Sequence, residues 1–158
     1  PGIEAEERGQ GPAIAETITV MGSLQVPTIA VITGEGGSGG ALALAMGNRV
    51  LMLENAYYSV ISPESASIIL YKNDNYAQEA AEALKISSRD LLGMQIIDEI
   101  IPEPLGGAHK DREAMGRLLK EALERNLAIL KGLSAEEIVT ARYRRFEVYG
   151  KIGDPGLE

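Results

Sequence analysis

The segment best suited to chemistry is Gly34-Glu35-Gly36-Gly37-Ser38-Gly39-Gly40, which runs directly into Ala41-Leu42-Ala43-Leu44-Ala45-Met46. Glycines admit backbone geometries closed to other residues and let a ligand approach the main chain, and the first N–H groups of a following helix have no partners inside it. Together they make an anion site at the positive end of a helix. If the negative charge develops during a reaction, the same donors form an oxyanion hole, which lowers the barrier because they are already oriented. A phosphate loop is not the match, since no Lys-Ser/Thr follows the glycines. Tight packing of a helix on a strand is the competing use of such a run.

Side chains offer little beside it. His109 is the only histidine, cysteine is absent, and no pair of acids stands at metal-ligand spacing on a helix. Ser-His, Cys-His and His-metal chemistries therefore lack their parts, and no metal site is expected in this chain. Glu64 reads either as a catalytic acid or as a dipole partner at a helix start. Glu35 either orients the glycine turn or faces solvent. His109, after Gly106-Gly107, is a loop-fixing residue or a subunit contact. Tyr57 and Tyr58, adjacent on a strand, read as one core and one surface ring or as a stacking platform for adenine.

The elements that must position these groups follow from periodicity. Within Glu4 to Leu24, Ile14, Ile18 and Met21 mark one buried helical face, and Pro12 suits a first helical turn. Thr28 to Ile32 is a β-branched strand, followed by the glycine turn and the small-residue helix. Val50 to Leu53 and Ala56 to Ile61 are two more strands. Ser62-Pro63-Glu64 starts a helix, with Ser as cap, Pro at the first position and Glu in the first turn. Helices are predicted around Ala77 to Leu84 and Ser88 to Leu92, a strand over Ile96 to Ile101, and a loop over Pro102 to His109. Met115, Leu119, Ala122, Leu123, Leu127 and Leu130 line one face of a long helix. Ser134 and Glu137 form a capping box for a last one, on which Val139, Tyr143 and Phe146 repeat. Only about four short strands are visible, few for the sheet this pattern implies, so further sheet neighbours are expected from a missing N-terminal half.

A length of 158 residues with 45% hydrophobic composition is enough for one domain with a real core. The net charge of −8 argues against nucleic acid or an anionic membrane as a partner. Apolar stretches fall well short of the ~20 residues a membrane helix requires. No signal peptide precedes the first helix, and the lack of cysteine suits a reducing compartment, so a soluble, cytoplasmic chain is the expectation.

A Gly-rich turn into a small-residue helix, then a strand, then an aromatic strand ending in Pro63-Glu64, resembles the crotonase superfamily. Closer still, four successive segments are similar to the carboxyltransferase alpha subunit of bacterial-type acetyl-CoA carboxylase. They are Pro1-Gly2 with Ala5-Glu6-Glu7-Arg8-Gly9-Gln10, Gly34 to Ala41, Tyr58-Ser59-Val60-Ile61-Ser62-Pro63-Glu64, and Ile101-Pro102-Glu103-Pro104-Leu105-Gly106-Gly107-Ala108-His109. Where that family commonly continues Pro-Glu with Gly and a small residue, Ser65-Ala66-Ser67 stand here.

The resemblance implies an α/β fold, the C-terminal portion of a crotonase-like (ClpP/crotonase) spiral of β-β-α units with two long C-terminal helices. Residues 1–110 would belong to the carboxyltransferase domain, 111–150 to a helical extension and 151–158 to a flexible tail. It implies carboxyl transfer from carboxybiotin, borne by a separate biotin carboxyl carrier protein, to acetyl-CoA, giving malonyl-CoA for fatty acid synthesis. The backbone N–H groups of Gly36 and Gly37 then hold the biotin-side oxyanion, Gly34, Glu35, Ser38, Gly39 and Gly40 complete the binding surface, and Gly106, Gly107 and His109 lie at an interface. Biotin can take the substrate proton itself, which fits the poverty of acid–base side chains. The implied partners are a zinc-bearing beta subunit in an alpha2beta2 assembly, the carrier protein and the missing half of the alpha subunit, without which this chain alone is inactive. Arg142, Arg144 and Arg145 either reach coenzyme A phosphates or the acidic carrier protein, or form a solvated helix face. Another crotonase-type acyl-CoA enzyme (a hydratase or decarboxylase) and a non-catalytic assembly fragment are the alternatives. Against a hydratase, Ile68-Ile69-Leu70-Tyr71-Lys72 stands where a second Gly-rich stretch would be expected.

Overall fold

Two parallel sheets are built from the same repeating unit. The computed structural model describes residues 2–149, so the tail expected over 151–158 lies outside the described residues. In chain order the elements are α1 (Ile3–Glu7), α2 (Gln10–Ser23), β1 (Ile29–Ile32), β2 (Glu35–Gly37), α3 (Ser38–Ala45), β3 (Arg49–Leu53), β4 (Tyr57–Ser59), α4 (Pro63–Tyr71), a 3-10 turn (Asp74–Tyr76), α5 (Ala77–Leu84), α6 (Ser88–Gly93), β5 (Glu99–Ile101), α7 (Arg112–Lys131) and α8 (Ala135–Glu147). One sheet has the order β1-β3-β5 and the other pairs β2 with β4. β1-β2-α3 and β3-β4-α4 are thus successive β-β-α units, each giving one strand to each sheet.

Local chemistry sets most boundaries. Ser62 caps α4 by accepting from Ser65 N–H at 3.2 Å, with Pro63 at the first position. Ser134 and Glu137 form the capping box of α8, and Asp111 caps α7 by accepting from Ala114 N–H at 2.8 Å. The helix carrying Ile14, Ile18 and Met21 is α2, with Pro12 in its first turn, and a short α1 precedes it because Gly9 at φ 81° takes the left-handed conformation that ends one helix and turns the chain into the next. The strand expected over Ile96 to Ile101 is shorter for a different reason. Leu91 C=O accepts from Ile96 N–H at 2.9 Å, which ties that residue to the end of α6 and leaves only Glu99–Ile101 for the ladder.

β3 is the centre of the core: Val50, Leu51, Met52 and Leu53 are all buried, together with Ile32, Ile97, Ile101 and, from α7, Met115 and Ala122. Burying each large side chain there contributes roughly 1.5–3 kcal/mol. On α8 the inward stripe is Ile138 and Arg142, one residue out of step with the expected Val139, Tyr143 and Phe146; Tyr143 is 55% exposed.

Arg142 departs from both readings of the C-terminal arginines, solvated face and anion contact, whereas Arg144 is exposed on the helix face. Its side chain is fully buried, with Nη1 donating to Gly22 C=O (3.0 Å) and Leu24 C=O (2.7 Å) and Nη2 to Val26 C=O (3.2 Å) and Asn48 Oδ1 (2.7 Å). No carboxylate is among these partners. Instead the cation caps carbonyls at and just beyond the negative end of α2, which find no N–H donors within the helix. Arg145 is also engaged, pairing with Asp98 and donating to Ile96 C=O at 2.6 Å. Both arginines serve to lock α8 against the sheet and α2.

Candidate functional site

The glycine run does not form one open turn. Glu35–Gly37 is a strand whose register pairs Glu35 with Tyr57, Gly36 with Tyr58 and Gly37 with Ser59. In a parallel ladder, alternate residues point their N–H and C=O groups at the neighbour. Tyr57 N–H donates to Gly34 C=O at 3.0 Å, while Tyr58 N–H turns the other way, to Ile86 C=O at 3.2 Å. That parity directs Gly36 N–H onto Tyr57 C=O and Ser38 N–H onto Ser59 C=O. By the same parity Gly37 N–H faces away from the ladder. Gly36, expected as a donor to ligand, is therefore committed within the sheet.

α3 begins immediately afterwards, with Gly37 as its N-cap and no side chain capping it. The N–H groups of Gly39 and Gly40 lie in its first turn, where an α-helix offers no carbonyl four residues back. Between them Ser38 holds φ 54°, a left-handed conformation that costs a non-glycine residue roughly 1–2 kcal/mol. That turn separates the strand donor, Gly37, from the helix donors, and strain of this kind clusters where geometry serves function.

The glycines divide by need. A Cβ on Gly36 would stand 2.7 Å from Tyr58 Cδ2, and one on Gly39 3.1 Å from Ile14 Cδ1, so both are required by packing. At Gly34 and Gly40 a Cβ would meet nothing within 4 Å, and at Gly37 only Ser59 O at 3.9 Å. Gly37 also has ordinary extended angles, φ −138° and ψ 155°. Neither packing nor backbone geometry demands glycine at these three exposed positions. Open space over the main chain is what close approach by a ligand oxygen needs, and packing of the helix on the strand does not account for these three glycines.

Around this turn, Glu35 and Tyr57 are cross-strand neighbours. The Tyr57 phenol is held above its usual value, chiefly by the Glu35 carboxylate, then by burial, then by the charges of Glu35 and Glu64. Glu35 and Glu64 are both exposed. Of the two tyrosines, Tyr58 is the core residue: its OH donates to Ala41 C=O in α3, and burial pushes its phenol up to about 12. A cleft of about 690 Å³ opens beside the turn, lined by Ala41, Leu42 and Ala45 of α3, Ser59 and Val60 after β4, and Phe146 and Tyr149. It is mostly apolar and of a size that holds a small-molecule ligand. Sequence reasoning missed it because its walls come from helices far apart in the chain.

Gly106 and Gly107 take φ 87° and 104° in the loop before α7. Glu103 fixes that loop, accepting from Asn55 N–H at 2.9 Å and Ala108 N–H at 2.8 Å. Burial opposes its charge, but these N–H groups and the nearby His109 bring its carboxyl below the usual value. The loop is thereby anchored to the β3–β4 turn, and His109 stands exposed beside it. Gly34, Gly36 and Gly39 do fall at the spacing of the dinucleotide fingerprint, with Glu54 twenty residues beyond the first. The structure sets that reading aside, because Gly36 lies inside a paired strand rather than at a strand-to-helix turn, and Glu54 turns to Arg89 at 3.5 Å. Among the described residues no three His, Asp or Glu side chains converge on a possible metal position, and no helix is long and apolar enough to cross a membrane.

The family model described as acetyl co-enzyme A carboxylase carboxyltransferase-like matches residues 1–150. The acetyl-coenzyme A carboxylase carboxyl transferase subunit alpha of Thermus thermophilus is 56% identical over 155 residues, covering 98% of this chain and 50% of that protein. This chain spans about half the length of the curated relatives it matches. Among solved structures, a Pseudomonas malonate decarboxylase hetero-tetramer in complex with coenzyme A superposes with a TM-score of 0.74 at 16% identity, covering 93% of this chain and 59% of the other. An enoyl-CoA isomerase from M. smegmatis gives 0.53 at 17% identity, covering 88% and 65%. These neighbours show that the fold is crotonase-like, in agreement with the β-β-α units.

Proposed function

The chain belongs to the acetyl co-enzyme A carboxylase carboxyltransferase-like family, and from that premise we propose that it is the alpha-subunit half-site of the carboxyltransferase. The activity is transfer of the carboxyl group from carboxybiotin to acetyl-CoA, giving malonyl-CoA, in the cytoplasm. The single observation that carries the site is the sterically open N–H of Gly37, turned out of the β2–β4 ladder at the start of an uncapped helix.

On this reading Gly37 N–H, with Gly39 and Gly40 behind it, would hold the ureido oxygen of biotin, and the space kept clear by Gly34, Gly37 and Gly40 fits that group. Biotin, delivered on its carrier protein, supplies the carboxyl group. The chain's own part is to stabilise negative charge on a bound oxygen with donors that need no reorganisation, supported by the positive end of α3. Gly36 acts one step back, fixing the register that turns Gly37 outward. Glu35, Tyr57 and Glu64 border the site and Ser38 shapes it. No base is required of these residues. The apolar cleft along α3 is suited to an acyl thioester arm. The beta subunit, which would bring the thioester-side donors and the zinc, completes the assembly as alpha2beta2, with Gly106, Gly107 and His109 at an interface.

The test joins this chain, in place of the matched half of the Thermus thermophilus relative, to the remainder of that protein and adds a beta subunit. Biotin-dependent decarboxylation of malonyl-CoA is the expected activity. Hydration of a crotonyl thioester by the same assembly, with no biotin-dependent turnover, would reject the reading.

A further inference from the structure

Glu35 shares the outer face of β2 with Gly37. A Cβ on Gly36 would strike Tyr58 and Ile32, so Gly36 and Tyr58 look inward. Side chains alternate along a strand, which puts Glu35, Gly37, Tyr57 and Ser59 together on the opposite face. Burial agrees: Glu35 and Gly37 are exposed and Tyr57 and Ser59 half-buried, whereas Gly36 and Tyr58 are buried. The two outer positions of β2 lie about 7 Å apart along the strand. A Cβ on Gly37 would meet only Ser59 O, at 3.9 Å. The face thus holds an open slot bordered by a main-chain N–H and a carboxylate.

The carboxylate is tethered. Its partner across the ladder is Tyr57, whose phenol hydrogen-bonds to it, the chief reason that phenol is held above its usual value. A carboxylate has about four lone-pair sites and no hydrogen to give, so one bond from the phenol leaves it capacity to accept more. Glu64, in the first turn of α4, adds negative charge near the same phenol and no donor. The slot therefore presents a donor and a charged acceptor side by side, the complement of a group whose carbonyl oxygen adjoins an N–H. A chloride or sulfate ion would match the donor alone and be repelled by the carboxylate.

We propose that Glu35 is the side chain that recognises the ureido ring: its carboxylate accepts the ring N–H beside the carbonyl held by Gly37, and Tyr57 positions the carboxylate for that bond. The assignment rests on the carboxybiotin reading and extends it from the ureido oxygen to the nitrogen that does not carry the carboxyl group. That nitrogen keeps its hydrogen throughout the transfer. The contact is therefore equal in ground and transition states, and it acts on binding rather than on the chemical step. It also adds a demand that main-chain donors cannot make, since a carbonyl compound without an N–H leaves the carboxylate unmatched.

Ligand-observed NMR on the full-length chimera with the Thermus thermophilus remainder tests it with two probes. One is 2-imidazolidinone, which has the ureido carbonyl and both N–H groups; the other is 1,3-dimethyl-2-imidazolidinone, which has the carbonyl alone. The first should bind at least about 10-fold more tightly. In Glu35→Ala the preference should shrink to within about 3-fold, and in Glu35→Gln, whose amide oxygen still accepts, it should be intermediate. Tyr57→Phe keeps the ring and should lose part of the preference, whereas Gly37→Ala should weaken both probes together. With the beta subunit added, Glu35→Ala should raise KM for free biotin in malonyl-CoA decarboxylation about 10-fold and leave kcat within about 3-fold. If Glu35→Ala fails to fold, Glu35→Gln decides. A preference unchanged in the Glu35 variants, or a fall in kcat at constant KM, would overturn the role of Glu35 and leave that of Gly37 standing. Failure of both probes to bind the wild-type chimera would remove the ureido reading and this inference with it.

Discussion

Adding one methyl group to Gly36 or to Gly37 should separate the frame of the site from its working donor. At Gly36 the new Cβ lands 2.7 Å from Tyr58 Cδ2 and 3.4 Å from Ile32 Cγ2. Neither neighbour is free to move: Ile32 is 2% exposed, and the Tyr58 ring is buried and tied to α3 through its hydroxyl. Overpacking of this kind costs about 1–3 kcal/mol, and losing the tyrosine hydrogen bond would add about 1 kcal/mol. At roughly 2–4 °C per kcal/mol for a chain of this size, Gly36→Ala should lower Tm by roughly 4–15 °C. At Gly37 the Cβ meets only Ser59 O at 3.9 Å, and the extended backbone accepts alanine. Stability should change by less than about 1 kcal/mol, with a small gain from the stiffer unfolded chain. Turnover is where Gly37→Ala should tell, because the methyl takes up open space that a bound oxygen needs to approach the N–H. Loss of one such donor lowers kcat by about 10²–10³-fold. Calorimetry on each variant and malonyl-CoA decarboxylation by the full-length chimera with its beta subunit give both readouts. Full turnover in Gly37→Ala would remove it from the donor role, and an unchanged Tm in Gly36→Ala would refute the packing argument.

Two further results follow from the same contacts. Arg142→Met should destabilise the chain by about 2–4 kcal/mol in urea denaturation, because the carbonyls of Gly22, Leu24 and Val26 lose charged donors in a buried setting; Arg142→Lys keeps the charge but not the planar fork and should recover only part of the loss. Glu103 has a folded-state carboxyl below the usual 4.5 despite its burial, so its contribution is fully present above pH 4.5 and is lost as pH falls through that lowered value. Acid titration followed by amide exchange at Asn55 and Ala108 should show the loop loosening in that window, and Glu103→Gln should flatten the dependence; an unchanged acid profile in Glu103→Gln would exclude the clamp.

Much of the frame is legible in the residues themselves. Ser62-Pro63-Glu64 and Ser134 with Glu137 announce helix starts because capping is local: the donors satisfied lie within three residues of the acceptor. The glycine run, the order of strands and helices, and the family likewise need no tertiary information. Local signals mislead where a distant partner decides. Gly-rich Glu35–Gly37 looks like a turn because glycine is a poor strand former, and it becomes a strand only because β4 pairs with it. Arg142 looks solvated because arginine usually is, until the end of α2 surrounds it with carbonyls.

What the sequence by itself determined is that this chain offers main-chain N–H groups, rather than titrating side chains, at the start of α3. Which of those groups is free was decided by the fold alone. Strand polarity alternates with every residue, so a ladder shifted by one position would expose Gly36 and bury Gly37. The register that prevents this is set by β4, about twenty residues away, and by the Ile86 carbonyl that holds Tyr58 in place.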